Sequence, residues 1–358
     1  MPSFYITSDA GLREIIELAY EKKVVAIDTE FTRETTYYPI LSLVQIAVGK
    51  KAFVIDCLAG LDLAPIYKII ADSSIKKILY SAAQDLQILY HESNILPQNV
   101  FDVQLMANFC GFGFNVGYSN MVENIMAVKV DKSLQRSDWQ QRPLGRNQIE
   151  YAMLDVVYLE EMYLKLCEIL QENKREKWFE EEMKYFAEKS LVKDSEVLFK
   201  NFSMQKKYGH KNSEQITKIR HLILWREKVA QMVNVPRQHL LRDEALEEMV
   251  MLKNFQHDID EEILVEAREI VEGQALEVQQ IIGEEHKSIM NEKEKAHYLR
   301  AKQLIERVAK EENLREQFLI PSAALKNIIL GNKKIDDLIS GWRYFLFGRK
   351  LQKLLDSL

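Results

Sequence analysis

Cysteine is scarce in this sequence. Cys57, Cys110 and Cys167 are all that 358 residues contain, each in its own apolar segment and none in CxxC spacing. That speaks against a disulfide framework and for free buried thiols in a reducing compartment. Proline and glycine are few, at 7 and 13, so nothing reads as collagenous or disordered. No apolar run approaches the roughly 18 residues a membrane span needs. The opening MPSFYITSDAGLRE lacks a basic start followed by an apolar stretch, so no secretory signal is expected and a cytoplasmic location is. Gly111-Phe112-Gly113-Phe114 lacks the Lys and following Ser or Thr of a phosphate-binding loop and reads as a turn. The seven histidines, His91, His210, His221, His239, His257, His286 and His297, show no metal-ligand spacing.

What is present describes a folded protein of two or three domains: 47% apolar and 28% charged residues over this length. The net charge of −6 argues against a nucleic-acid binder. Its distribution argues the other way. Between Gln205 and Arg242, Lys206, Lys207, Lys211, Lys218, Arg220, Arg226, Lys228, Arg237 and Arg242 face only Glu214 and Glu227, a net of +7. Such a segment either tracks a phosphate backbone or is a solvated helical face.

The first 170 residues alternate between strand-like and helix-like pieces. Val24–Ile27, Leu41–Val48, Ala52–Ile55 and Ile78–Tyr80 read as strands, and Leu61–Ala71 reads as a helix. Alternation of this kind predicts an α/β layer with a mostly covered sheet. Beyond about Gln148 the pattern is helical, and the mixed-charge run ENKREKWFEEEMKYFAEK suits an exposed connector. A domain boundary is expected between about 190 and 207, and the remainder is expected to be helical. Leu222-Ile223-Leu224-Trp225-Arg226 resembles Leu338-Ile339-Ser340-Gly341-Trp342-Arg343, which fits either a duplication or chance.

Four acids draw attention. Asp28 and Glu30 end the apolar run VVAIDTEF at i and i+2, so on a strand both point to one face. Asp85 opens a helix-like segment. Asp155 follows Tyr151 by four residues, placing the two on one helix face. At about 5 Å and an effective dielectric near 20, each ionised pair would repel by roughly 3 kcal/mol. Convergence of all four would therefore demand bound cations. Hard divalent ions such as Mg²⁺ or Mn²⁺ take oxygen ligands, and two of them about 3.5–4 Å apart can activate a water and stabilise a leaving oxygen. The Tyr151 hydroxyl would orient that water.

Taken with their flanks, these residues resemble the DEDD superfamily of 3′–5′ exonucleases, tyrosine subclass, and within it the ribonuclease D family. The matching motifs are Ile27-Asp28-Thr29-Glu30-Phe31 with Thr36-Tyr37-Tyr38-Pro39, Asp85-Leu86 after Lys77-Ile78-Leu79-Tyr80-Ser81, and Tyr151-Ala152-Met153-Leu154-Asp155. Phe101-Asp102-Val103-Gln104, Asp131-Lys132-Ser133 and Ser137–Leu144 add further matches. Leu224-Trp225-Arg226-Glu227, Ala230 and Val235-Pro236-Arg237 are similar to an HRDC domain, and a second, divergent one ends near Trp342-Arg343. The resemblance implies an α/β RNase H-like exonuclease domain with a trailing helical connector over 1–190, followed by two small all-α HRDC modules, 207–288 and a divergent 289–358. It implies two divalent cations held by Asp28, Glu30, Asp85 and Asp155, with Tyr151 positioning the nucleophilic water. It further implies release of 5′-mononucleotides from RNA, with tRNA precursors the typical substrate; a monomer is expected. The alternatives are a DNA exonuclease or an RNA-binding module without catalysis. Tyr80 stands where many relatives carry His.

Several substrate contacts stay open. Phe31 either lies against the terminal base or belongs to the core. Arg142, in the loop with Trp139 and Pro143, either meets phosphate or clamps that loop. Tyr80 could stack or hydrogen-bond, and Arg237 and Arg242 are candidate phosphate contacts. Trp225 and Trp342 are expected in helical cores.

Overall fold

The structure, a computed structural model, describes residues 3–131, 133–190, 213–253, 261–272 and 290–357. Lys132, Lys206, Lys207, Lys211, His210, His257 and His286 lie outside the described residues. Contacts divide the chain into two compact units. The first comprises Met1–Phe31, Leu41–Leu191 and Lys287–Leu358, and the second Thr32–Ile40 and Val192–His286.

The first unit is built on a six-stranded mixed sheet. Its strands are β1 Ser3–Ile6, β2 Val24–Thr32, β3 Ile40–Val48, β4 Lys51–Asp56, β5 Lys76–Leu79 and β6 Val100–Asp102, in spatial order β1-β4-β3-β2-β5-β6. β3 and β4 form an antiparallel pair, while β1 with β4, β2 with β5 and β5 with β6 are parallel. The helices are α1 Asp9–Lys22, α2 Ala64–Ala71, α3 Ala83–Ser93, α4 Val103–Phe109, α5 Tyr118–Met126, α6 Arg146–Val157, α7 Leu159–Glu172 and α8 Glu176–Ser190. β3 is mostly apolar on both faces because both are covered; Leu41 through Val48 are all buried, Ser42 and Gln45 among them. β2 runs past the apolar stretch and through the acids, so Asp28 and Glu30 stay on a regular strand. The short outer strands β1 and β6 were not legible as strands, since three or four residues carry too little alternation to register.

The second unit is helical: α9 Ser213–Met232, α10 Arg237–Leu240, α11 Asp243–Leu252 and α12 Glu261–Glu272. Ile219, Leu222, Trp225, Leu246, Met249 and Leu264 fill its core. Arg226 is buried there with its guanidinium on Asp243 Oδ1 (2.8 Å) and the Leu241 carbonyl (2.7 Å).

A real repeat emerges in a register different from the Trp-Arg similarity. Late in the first unit, α13 Glu292–Glu311, α14 Glu316–Leu319 and α15 Ser322–Ile329 follow the order and spacing of α9, α10 and α11. The left-handed Asn234 (φ 53°) matches Asn313 (φ 51°), 79 residues on (313 − 234). At that offset the bond Val235 N–H to Ala230 O becomes Leu314 N–H to Ala309 O, and Leu241 N–H to Arg237 O becomes Ile320 N–H to Glu316 O. Trp225 therefore corresponds to Leu304, and Trp342 lies beyond the matched helices. Both tryptophans are buried, as expected, but in unrelated places. Trp342 stacks on Trp178 (5.2 Å) and meets Phe109 and Phe318 edge-on or tilted. Arg343 bonds Glu182 and the Phe318 carbonyl, so residues 290–357 share a core with α4 and α8.

Candidate active site

β2 and α6 bring the carboxylates together. One oxygen from each of Asp28, Glu30 and Asp155 lies within 4.8 Å of the other two. Asp85, the third residue of α3, is buried beside them, and the Thr29 hydroxyl donates to its Oδ1 at 2.5 Å. Burial pushes Asp28 well above the usual carboxylate range, and the charges of Asp85, Asp155 and Glu30 push it further. Glu30 is raised to about 9 by burial and then by Asp155 and Asp85. Asp85 is raised to about 7, mainly by burial, against the lowering effect of the Thr29 hydrogen bond. The charges acting most strongly on Asp28 and Glu30 are all other carboxylates. A crowded set of hard oxygen donors of this kind fits a divalent cation.

Tyr151 lies one helical turn before Asp155 on α6, buried, with Trp139 tilted against its ring at 6.0 Å. Burial, followed by the charges of Asp155, Glu30 and Asp28, raises its hydroxyl pKa, so the phenol keeps its proton. Two staples hold α6. Tyr118 donates from its hydroxyl to the Leu154 carbonyl at 2.5 Å, next to Asp155. Ahead of the helix, Arg142 is fully engaged. Its Nε and Nη2 meet both oxygens of Asp56 (2.7 and 2.6 Å), while Nη1 and Nη2 also reach the carbonyls of Trp139, Gln141 and Ser42. All five donors are used, so Arg142 clamps the loop to the end of β4 and offers no N–H to phosphate.

The other candidates fall in different settings. Tyr80 donates to the Val116 carbonyl at 2.5 Å and packs edge-on to Tyr118. Phe31 is half-buried against the core of the first unit. In the second unit Arg237 pairs with Glu227 (3.2 Å), and Arg242 is exposed just before α11. Much of the basic segment is balanced there, with Lys218 on Glu214, Lys228 on Glu266 and Arg226 on Asp243. The same unit contains the loop that follows Phe31. Its Tyr37 donates to Glu227 and accepts from Gln231 (2.9 Å), and Tyr38 N–H reaches Asn234 (3.1 Å). Glu227, Gln231 and Asn234 recur along one side of α9 and its end.

Sequence reasoning missed Thr29, Asp56, Asp102 and Tyr118, which touch the site through other groups. Asp56 and Asp102 carried a local sign, each an Asp two or three residues before an N–H that it caps, Leu58 and Leu105. The three cysteines are free thiols, each half-buried. Among the described residues no helix is long and apolar enough to cross a membrane.

Comparison with known proteins bears on the same region. Residues 4–171 match the model of a family described as 3′–5′ exonuclease. Ribonuclease D of Bartonella henselae is 30% identical, the match covering 98% of this chain and 89% of that protein. Ribonuclease D of Zymomonas mobilis is 31% identical, covering 98% and 94%. The crystal structure of Escherichia coli RNase D, described as an exoribonuclease involved in structured RNA processing, matches with a TM-score of 0.81. The two chains are 26% identical, covering 100% of this chain and 99% of that one.

Proposed function

The chain belongs to the ribonuclease D family of 3′–5′ exoribonucleases, and from that premise we propose that it trims RNA 3′ ends with two divalent cations, Mg²⁺ or Mn²⁺, releasing 5′-mononucleotides in the maturation of tRNA precursors. The observation that carries this reading is the group of Asp28, Glu30 and Asp155 oxygens within 4.8 Å, with Asp85 beside them. Asp28, Glu30, Asp85 and Asp155 would hold the cations. When bound, such ions stabilise charge on phosphoryl and leaving oxygens and acidify water.

The protein's own groups do the rest. Tyr151 keeps its proton because burial and the surrounding carboxylates oppose its loss. It therefore acts as a neutral phenol that orients the attacking water through a hydrogen bond and does not deprotonate it. The Tyr118 and Arg142 staples fix the approach of α6, so Tyr151 and Asp155 move as one body. Residues 207–288 and 289–358 are assigned as HRDC-type modules that help to hold structured RNA.

End-labelled RNA tests the reading. With Mg²⁺ or Mn²⁺, 5′-labelled substrate should shorten stepwise and release 5′-mononucleotides, and chelation or Asp28→Asn should stop it. Loss from the 5′ end, or undiminished activity in Asp28→Asn, refutes it. A matched DNA oligomer reports how far the 2′-hydroxyl is read.

A further inference from the structure

Asp102 is buried at 1% exposure in the first unit, and every hydrogen bond it accepts comes from backbone N–H. It ends β6 opposite Leu79 of β5, its parallel partner in register. Oδ1 accepts from Leu105 N–H (3.1 Å), which caps α4, and also from Ser81 N–H (3.1 Å). Oδ2 accepts from Ala82 N–H (2.8 Å). Ser81 and Ala82 link β5 to α3, and Ser81 stands in the left-handed region at φ 57°. Ala82 is the residue before α3 and has no side chain able to cap it. Asp85 follows three residues later, on the first turn.

We propose that Asp102 is a positioning residue for the 3′–5′ exonuclease reaction: its carboxylate holds the Ser81–Ala82 backbone that leads into α3 and sets where the helix starts, and thereby where Asp85 lies. Three features carry this. The linking backbone adopts a conformation that serine rarely takes unaided. A helix start without a side-chain cap leaves its first N–H groups in need of an acceptor. A buried carboxylate that accepts charge-assisted bonds from two successive N–H groups fixes both. The inference rests on Asp85 being a cation ligand.

The two jobs of Asp102 can be separated by substitution. Asp102→Ser keeps a short acceptor that caps α4 through Leu105 N–H but cannot span to Ser81 and Ala82. Asp102→Asn keeps the shape and turns an amide N–H₂ toward one of the donors. For both, kcat on RNA should fall about 10–100-fold while KM changes less than about threefold, and Mn²⁺ binding to the enzyme without RNA, read by calorimetry, should weaken about 10–100-fold, as for the loss of other outer partners of metal ligands. Hydrogen exchange at Ser81 and Ala82 should accelerate in Asp102→Ser, and its melting temperature should fall by a few degrees because the buried Ala82 N–H loses its acceptor. Asp102→Glu, which retains a carboxylate, should recover part of the lost kcat. Unchanged kcat and Mn²⁺ affinity in a folded Asp102→Ser or Asp102→Asn protein overturn the proposal. If chelation leaves wild-type activity intact, the cation reading itself fails, and that outcome is distinct.

Discussion

Replacing Arg142 with methionine separates a clamp from a phosphate contact. The substitution removes both guanidinium bonds to Asp56, whose side chain is only 5% exposed, and leaves it with the Tyr5 hydroxyl (2.5 Å) and Leu58 N–H (3.0 Å). Breaking a buried pair by deleting one partner costs about 3–5 kcal/mol. Arg142 itself is 25% exposed, so water screens part of that, and about 2–3 kcal/mol is expected. At about 2–4 °C per kcal/mol for a unit of this size, the melting temperature should fall by about 5–10 °C. The effect should depend on pH in one direction. Burial alone would raise the Asp56 pKa, but bonds from Arg142, Tyr5 and the Leu58 N–H outweigh it and hold the carboxyl below its ordinary value. A depressed carboxylate contributes stability that is present above its unfolded pKa, about 3.9, and lost as pH falls through the folded value. The gap between wild type and Arg142→Met should thus be full at pH 7 and close below about pH 4, as read by circular dichroism melts. Catalysis should fall as well, since the released loop carries Trp139, which packs on Tyr151. A melting temperature within 1–2 °C of wild type, together with weaker RNA binding and a flatter salt dependence, would refute the clamp.

Tyr151→Phe should keep the fold and lower kcat by about 100-fold with KM little changed, the signature of a lost orienting contact; an unchanged kcat removes the tyrosine from the mechanism. In chelator, the protein should lose stability as pH rises from about 4.3 towards 9, because the Glu30 carboxyl, raised to about 9, stabilises the fold while protonated and opposes it once ionised. Saturating Mg²⁺ should flatten that slope in urea titrations, and parallel curves would count against cation binding there. Arg226→Met takes the guanidinium away from Asp243, itself 3% exposed, which keeps the Gln238 amide (2.8 Å), and should destabilise the second unit by about 3–5 kcal/mol, visible as early loss of exchange protection in α9 and α11. Arg242→Ala should reduce the salt slope of RNA binding by about one if the exposed guanidinium meets phosphate, and no change assigns it to the solvated face.

The central strands and the placement of the acids were legible because they rest on local periodicity. Asp28 and Glu30 share a face through the two-residue repeat of a strand, and Tyr151 and Asp155 through the turn of a helix. Their meeting was not legible, since it depends on β2 and α6, more than a hundred residues apart in the chain. The second layer was hidden for the same reason: Asp56, Asp102 and Tyr118 act on backbone groups or a guanidinium 20 to 86 residues away, and no spacing encodes such a contact. The register of the repeat was not legible, because the two Trp-Arg pairs dominate a short match. What recurs at 79 residues is a pattern of buried positions around a left-handed asparagine, with Leu304 where Trp225 would be sought. Part of the balance of the basic segment was not legible in its local count, because the acids Asp243 and Glu266 come from helices that follow it.

The arrangement explains how mutually repelling carboxylates stay in place. Left to itself, a cluster like Asp28, Glu30 and Asp155 would relax by spreading its backbone supports. Each support is instead fixed by a polar bond formed away from the cluster: α6 by Tyr118 on the Leu154 carbonyl and by Arg142 on Asp56, and the start of α3 by Asp102 on Ser81 and Ala82. The sheet carries β2 in its interior between β3 and β5, where it cannot shift without breaking pairing on both sides. The strain shows as raised proton affinity, caused first by burial in Asp28, Glu30 and Asp85 and reinforced at Asp28 and Glu30 by the neighbouring carboxylates. A cation entering such a site displaces protons and has little ordering left to do, so its binding energy goes into charge neutralisation.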